Sequence, residues 1–144
     1  MKLNRVEKAL MNNPVRASLQ RYYETPLLER LGGRLDGRRV LEVGCGRGLG
    51  TNIILKRFGA ADVHAFDLDP DMVRQARQRL AAYPPGRVTL YQADVTAIPE
   101  PDASFDAVFD FGILYHVPAW PVAVAEIHRM LRPGGRFYFG EVTR

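Results

Sequence analysis

The sequence predicts an α/β fold built on a parallel sheet that is flanked by helices. From residue 38 onward, short apolar runs alternate with amphipathic segments, and this alternation is typical of parallel strands joined by right-handed crossovers. The first apolar run also leads directly into a glycine-rich loop, as it does in ligand-binding sheets of this class. The predicted strands are Val40–Val43, Val63–Phe66, Val88–Tyr91, Ala107–Phe111 and Phe137–Phe139.

Two of the helices between these strands have clear boundaries in the sequence. Asp69 is a good N-cap, because Pro70 fits the first helical position and Asp71 the positively polarised first turn. The last helix is predicted to begin near Pro121. It is predicted to end at the turn formed by Arg132-Pro133-Gly134-Gly135.

The part of the chain before the first strand has a different, helical pattern. Residues 1–35 are predicted to form amphipathic helices that break at Pro14 and Pro26. A chain of 144 residues forms one domain and can bury roughly two thirds of its unfolded surface. We therefore divide it into an N-terminal helical cap, residues 1–35, and a core, residues 36–144, within a single domain.

The composition, with 47% hydrophobic and 25% charged residues, is that of an ordinary globular protein. No apolar run approaches the roughly 20 residues that a membrane helix needs. Residues Met1–Glu7 also lack the apolar stretch of a secretory signal. The single cysteine, Cys45, excludes an internal disulfide and a multi-cysteine metal site. We therefore expect a cytoplasmic protein without a metal centre.

Charge is distributed unevenly along the chain. Residues 1–58 contain 12 Lys and Arg against 5 Asp and Glu, whereas residues 59–144 contain 8 against 11. A basic first half can attract an acidic partner such as nucleic acid. The basic residues are scattered singly, however, and form no run of five or six. Nucleic acid is therefore not the expected partner.

The loop after the first strand carries most of the functional information. Residues Val40–Gly48 read V-L-E-V-G-C-G-R-G, which contains the pattern E-x-G-x-G-x-G. Glycines at a strand end let a ligand approach the backbone, and the next helix N-terminus offers free N–H groups. The second strand ends at Asp67, where a carboxylate can accept hydrogen bonds from a ribose. These features predict a nucleoside-binding cleft.

The glycine spacing argues against a dinucleotide ligand. The fingerprint G-x-G-x-x-G fails at Leu49 when it starts at Gly44, and at Thr51 when it starts at Gly46. No Tyr-x-x-x-Lys catalytic pair is present either. Both observations disfavour a nicotinamide-dependent oxidoreductase.

Residues 38 to 142 instead resemble the class I S-adenosylmethionine-dependent methyltransferases, in particular the ubiquinone/menaquinone-biosynthesis type (methyltransferase type 11). The resemblance rests on E-x-G-x-G-x-G, on Asp67, and on the motifs Gln92-Ala93-Asp94-Val95 and Leu131-Arg132-Pro133-Gly134-Gly135. It implies a Rossmann-like three-layer αβα sandwich with strand order 3-2-1-4-5. The family usually has a sixth and a seventh strand, which are absent here. A homodimer that covers the exposed edge of the fifth strand is one expected consequence.

The resemblance also implies the residues that bind the cofactor, S-adenosylmethionine, whose demethylated product is S-adenosylhomocysteine. Glu42 would lie near the amino-acid end of the cofactor, or would instead orient the loop through backbone N–H groups. Asp67 would bind the ribose, and the acid after the third strand, Asp94, the adenine amino group. Phe111 and Gly112 would offer backbone near the sulfonium. The full predicted set is Glu42, Gly44, Cys45, Gly46, Gly48, Asp67, Leu68, Met72, Asp94, Val95, Phe111 and Gly112.

Methyl transfer from an activated sulfonium needs alignment more than acid–base chemistry. His116 is the candidate general base if the acceptor is a hydroxyl, and its alternative role is that of a packed or capping side chain. His64 and His128 are interpreted as structural.

Absent motifs favour a small-molecule acceptor with an O, N or C nucleophile. The segment Asp110-Phe111-Gly112-Ile113 differs from the D/N-P-P-Y/F element of base-amine methyltransferases. The only cysteine lies in the cofactor loop and not downstream, where C5-pyrimidine enzymes need it. The sequence therefore predicts a methyltransferase that acts on a small molecule. The alternative is a non-catalytic cofactor-binding module, or a truncated subunit that needs a partner.

Overall fold

In the computed structural model, which describes residues 4–6 and 24–140, five parallel strands form one sheet. Their order, β3-β2-β1-β4-β5, confirms the predicted α/β class and topology. The pairs β1–β2, β1–β4, β2–β3 and β4–β5 are all parallel. The strands are β1 (Arg39–Val43), β2 (Asp62–Asp67), β3 (Val88–Gln92), β4 (Phe105–Asp110) and β5 (Leu131–Phe139).

Four α-helices accompany these strands in the described residues. They are α1 (Thr25–Gly32), α2 (Leu49–Lys56), α3 (Pro70–Arg79) and α4 (Trp120–Met130), and a short 3-10 helix, Leu114–His116, precedes α4. The predicted N-cap of α3 is confirmed, because the Asp69 side chain accepts a hydrogen bond from the Asp71 N–H at 2.9 Å. None of the helices in the described part of the chain is long and apolar enough to cross a membrane.

The core forms two apolar clusters, one on each face of the sheet. Neighbouring residues of β1 alternate between them, so that Val40 belongs to one cluster and Leu41 to the other. The first cluster receives side chains from α1, α2 and α3, for example Ile54, and the second receives side chains from α4, for example Ile127. The fold is therefore the three-layer sandwich that the sequence predicts.

The predicted turn Arg132-Pro133-Gly134-Gly135 lies inside the range of β5. Leu131 pairs with Phe105 and Arg136 pairs with Ala107, so four residues on β5 oppose one on β4 and form a bulge. Gly134 supplies the left-handed backbone, with φ of 79°. The predicted helix end is correct, because α4 stops at Met130, but the strand begins before the turn and not after it.

Strand β5 is an edge strand of the sheet, as the sequence predicts, but the side chain of Tyr138 on one of its faces is covered. Tyr138 is 3% exposed, and its ring stacks on Phe109 with centroids 4.4 Å apart. Its hydroxyl donates to the carbonyl oxygens of Gly32 at 2.7 Å and Gly33 at 2.9 Å. Helix α1 therefore covers this face of β5, whereas Phe139, on the opposite face, remains 53% exposed.

The predicted helical cap is described only in part. Helix α1 lies within residues 1–35, and Pro26, at which a helix break was predicted, lies in the first turn of this helix. The predicted break at Pro14 lies outside the described residues. The division into residues 1–35 and 36–144 therefore stays a prediction.

Candidate functional site

A cleft opens at the C-terminal ends of β1, β2, β3 and β4. This is the edge at which open α/β sheets bind ligands. Six of the predicted site residues line the cleft: Gly44, Asp67, Leu68, Asp94, Val95 and His116. Four lining residues were not among those predicted: Phe66, Ala93, Ile113 and Val117.

Asp67, at the end of β2, connects the glycine loop to the start of the next helix. Its Oδ2 accepts from the Gly46 N–H at 3.0 Å and its Oδ1 accepts from the Asp69 N–H at 2.9 Å. Each carboxylate oxygen has two acceptor positions and can accept from more than one donor. The same side chain can thus shape the loop and bind hydroxyl groups of a ligand.

The glycine loop needs its glycines for both conformation and space. The φ angles are 72° at Gly44, 52° at Gly46 and 90° at Gly48, a region that L-residues with side chains rarely adopt. A Cβ on Gly44 would also lie 2.4 Å from Cγ2 of Ile113. The backbone of the loop is therefore packed directly against the segment that follows β4.

Glu42 is buried behind the loop, with 2% of its surface exposed. Its Oε1 accepts from the Thr51 hydroxyl of α2 at 2.5 Å. Burial, and then the nearby carboxylates of Asp67 and Asp110, raise the pKa of Glu42 to about 8, although the Thr51 bond opposes this. The alternative role of Glu42, orienting the loop through backbone N–H groups, stays a prediction, and Asp67 makes one such bond, to the Gly46 N–H.

Cys45 serves as a small core residue within the loop. It is 5% exposed and belongs to the apolar cluster on the α2 side of the sheet. Burial raises the pKa of its thiol far above the usual range, and the carboxylates of Glu42 and Asp67 raise it further. The thiol is therefore neutral at physiological pH and is not an activated nucleophile.

Asp94 and Val95 form the wall of the cleft that follows β3. Asp94 accepts through Oδ1 from the N–H of Thr96 at 2.9 Å and from its hydroxyl at 2.7 Å. These two bonds hold the pKa of Asp94 below its usual value, so the carboxylate is charged at neutral pH. Val95 is 6% exposed and offers an apolar surface beside it. This wall can therefore hold an aromatic ring that carries a donor group.

Not every predicted residue reaches the cleft. Leu68 lines it, but Met72 is 5% exposed on the core side of α3 and lies outside the lining. Phe111 and Gly112 also lie outside the lining, as do Glu42, Cys45, Gly46 and Gly48. These residues support the cleft from behind, and any contact they make with a ligand stays a prediction.

Asp110, which the sequence analysis did not include, organises the segment that follows β4. It is fully buried and accepts through Oδ1 from the N–H groups of Gly112 at 2.8 Å and Ile113 at 2.6 Å. This arrangement turns the backbone sharply so that Ile113 and His116 face the cleft. An aspartate at a strand end with glycine two residues later is the signal that predicts such a turn.

His116 lies in the 3-10 helix and, like Asp67, lines the cleft. Its ring meets the ring of Tyr115 edge to face, with centroids 5.2 Å apart. His64 lies elsewhere, where its Nδ1 is 2.6 Å from Oε1 of Glu100, in keeping with the structural role expected for it. No group of three or more metal-binding side chains occurs within residues 4–6 and 24–140.

The chemistry of the cleft fits an adenosine-containing ligand. One carboxylate follows β2 and another follows β3, and apolar side chains such as Leu68 and Val95 lie beside them. Carboxylates accept hydrogen bonds from ribose hydroxyls and from an adenine amino group, and apolar walls hold the base. The glycine loop is the third part of the site, after the carboxylates and the apolar walls. No side chain covers the backbone at Gly44, so an extended group can lie along the loop.

Comparison with known proteins supports the same interpretation. A family model described as "Methyltransferase domain" matches residues 40–135. The chain is 40% identical over 124 residues to a malonyl-[acyl-carrier protein] O-methyltransferase of Halorhodospira halophila. It is 37% identical over 108 residues to a probable phthiotriol/phenolphthiotriol dimycocerosates methyltransferase of Mycobacterium ulcerans. It is also 34% identical over 124 residues to a fatty-acid O-methyltransferase of Mycolicibacterium smegmatis.

These matches cover most of this chain but less than half of each relative. The aligned parts are 85%, 75% and 86% of the chain, and 41%, 41% and 43% of the three relatives in the order given. Among solved structures, an S-adenosylmethionine-dependent methyltransferase from Mesorhizobium loti is 31% identical, with a TM-score of 0.69. That match covers 79% of this chain and 51% of the other.

Proposed function

The chain belongs to the class I S-adenosylmethionine-dependent methyltransferases, and we propose that it transfers the methyl group of this cofactor to an oxygen atom of a small-molecule acceptor. The observation that carries the proposal is the bond network of Asp67, which ties the glycine loop to the end of β2 at the edge of the cleft. The O-methyltransferases among the relatives support an oxygen acceptor.

The proposal assigns each part of the cleft one task in binding the cofactor. Asp67 accepts from the ribose hydroxyls, and Asp94 and Val95 hold the adenine together with Leu68. The loop from Gly44 to Gly48 holds the amino-acid end. When bound, S-adenosylmethionine supplies a methyl group that is already activated by a sulfonium. The protein then has to align the acceptor with it, and such positioning contributes about 7–11 kcal/mol in well-oriented reactions.

The role proposed for His116 depends on the acceptor. A carboxylate acceptor is already ionised at neutral pH and needs no base, whereas a hydroxyl has to lose its proton during transfer. In the second case His116, which lines the cleft, accepts that proton. Replacement of His116 by glutamine would then lower kcat for hydroxyl acceptors and leave kcat for carboxylate acceptors nearly unchanged.

The proposed partners and location follow from the same account. We propose that the protein acts on a small molecule in the cytoplasm and does not bind nucleic acid. A homodimer that covers the β5 edge stays a proposal, for which the 53% exposure of Phe139 is the supporting observation. Light scattering at rising protein concentration tests it, since a mass that stays at 16.2 kDa excludes the dimer.

Methyl transfer is tested with methyl-labelled cofactor and a panel of carboxylates, phenols, alcohols and amines. The proposal predicts labelled product with an oxygen acceptor and accumulation of S-adenosylhomocysteine. Cofactor binding without product from any acceptor would favour the second candidate function, a non-catalytic cofactor-binding module or a subunit that needs a partner.

A further inference from the structure

An uncharged stretch with exposed aromatic side chains lies beside the cleft. Between Asp110 and Glu126 the sequence has no Asp, Glu, Lys or Arg, although 25% of the chain is charged. Within this stretch Tyr115 is 60% exposed and Trp120 is 57% exposed. Exposed aromatic side chains beside a cleft are candidates for ligand contact, because each ring offers a large apolar surface.

Tyr115 and Trp120 each contact a residue that lines the cleft. The Tyr115 ring contacts the ring of His116, a cleft residue, with centroids 5.2 Å apart. The backbone N–H of Trp120 donates to the backbone carbonyl of Val117, another cleft residue, at 3.1 Å. Both aromatic residues therefore belong to the segment that forms this wall of the cleft. We call Tyr115, Val117 and Trp120 the aromatic rim.

From the position of the aromatic rim beside the cleft we infer that the acceptor carries a hydrocarbon chain, which lies on the aromatic rim while its oxygen faces the cleft. The inference rests on the proposed function and adds a substrate class to it: a fatty acid or fatty-acyl compound. A rim without charged residues in its own segment suits such a chain, because each buried methylene group gains free energy and no charged side chain of this segment has to be desolvated. A charged or strongly polar acceptor would gain nothing from this surface.

Trp120 makes the inference directly testable, because it is the only tryptophan in the sequence. Its emission reports the environment of the rim without any need for turnover. We would titrate the full chain with octanoate, dodecanoate and hexadecanoate below their micelle concentrations, and record emission and acrylamide quenching. The expected result is a blue shift, weaker quenching, and an affinity that rises by up to about fourfold per added methylene.

Two variants on exposed positions locate the binding. Tyr115→Ser removes one of the two aromatic side chains of the rim. It is expected to weaken dodecanoate binding about tenfold or more, because the hydrocarbon chain loses its contact with the Tyr115 ring. Val122→Ser is the matched control. Val122 is 51% exposed and lies on the same helix as Trp120. At about 100° per residue the two side chains point about 160° apart around the helix axis, so loss of the Val122 side chain should leave binding unchanged.

The outcomes separate the inference from the proposed function. No fatty acid response, in protein that binds S-adenosylhomocysteine by calorimetry, would overturn the inference and leave the proposed function standing. A response in protein that does not bind S-adenosylhomocysteine would contradict the proposed function and, with it, the role of the bound fatty acid as an acceptor. Low quenching of Trp120 in the free chain would overturn the inference too, because another part of the chain or a second copy would then cover the rim.

Discussion

Asp67 shows how one residue can build a site and also serve it. Its two carboxylate oxygens accept from the N–H groups of Gly46 and Asp69, which lie on either side of the cleft floor. The glycine loop therefore depends on this side chain even without a ligand. Sequence reasoning placed Asp67 at the end of a strand correctly, but it assigned the carboxylate to the ligand alone.

Replacement of Asp67 by alanine should weaken binding of S-adenosylhomocysteine about tenfold or more, because a charged acceptor of ribose hydroxyls is lost. Isothermal calorimetry measures the change. Asp36→Ala is the control, since Asp36 is an exposed acid that pairs with Arg34 away from the cleft. Equal affinity of the two variants would contradict the role proposed for Asp67.

Glu42 couples the stability of the protein to pH. Its pKa is raised from 4.5 to about 8 in the folded state, first by burial. Between these values the folded state binds more protons than the unfolded state, so the free energy of unfolding falls as pH rises through this window. Below this pH window Glu42 is protonated in both the folded and the unfolded state, so its ionisation no longer lowers the free energy of unfolding.

Glu42→Gln should remove this dependence, because glutamine keeps an acceptor for Thr51 but cannot ionise. The free energy of unfolding of the variant should rise relative to the parent protein by at most about 1.4 kcal/mol per pH unit across the window. Urea unfolding at several pH values measures the difference. Parallel pH profiles for the two proteins would show that Glu42 does not titrate as described.

At the scale of elements, the glycine loop and the segment after β4 act as one packed unit. Gly44 leaves no room for a side chain against Ile113, and Asp110 fixes the backbone of the segment that carries Ile113. The sequence predicted the loop, because glycines at a strand end are a local signal. The contact with Ile113 joins residues that are far apart in the chain, and no local pattern predicts it.

Gly44→Ala should abolish measurable binding of S-adenosylhomocysteine, because the new methyl group displaces Ile113, which lines the cleft. Gly86→Ala is a matched control. Gly86 has a similar positive φ of 87° but open space around it. Both variants should lose about 1–2 kcal/mol of stability from backbone strain. If Gly86→Ala weakens binding as much as Gly44→Ala does, the packing explanation fails.

The prediction of elements from sequence succeeded where the determinants are local. The N-cap at Asp69 and the end of α4 at Met130 follow from neighbouring residues. It failed at β5, where pairing with Phe105 draws Leu131 into the sheet before the predicted turn. Strand pairing is a tertiary effect that a single segment does not encode.

At the scale of the whole molecule, α1 is attached to the sheet mainly through β5. The Tyr138 hydroxyl donates to the carbonyls of Gly32 and Gly33, more than 100 residues earlier in the chain. Its ring also packs on Phe109 and Phe58. This contact covers one face of β5.

Tyr138→Phe should lower the free energy of unfolding by about 0.5–1.5 kcal/mol, because the Gly32 and Gly33 carbonyls lose the hydroxyl donor while the ring and the Arg136 bond to Gly32 remain. Tyr115→Phe is the control, since the Tyr115 side chain is 60% exposed. Urea denaturation of both variants at one pH measures the effect. A loss no greater than that of the control would mean that water replaces the missing hydroxyl.

The account as a whole makes the cleft a site for S-adenosylmethionine, and binding of S-adenosylhomocysteine tests that claim most directly. We would titrate the full chain with S-adenosylhomocysteine in a calorimeter, with NAD as the parallel ligand. The account predicts micromolar binding of S-adenosylhomocysteine, about −8 kcal/mol, and no heat from NAD. Binding of NAD, or binding of neither ligand, would contradict it.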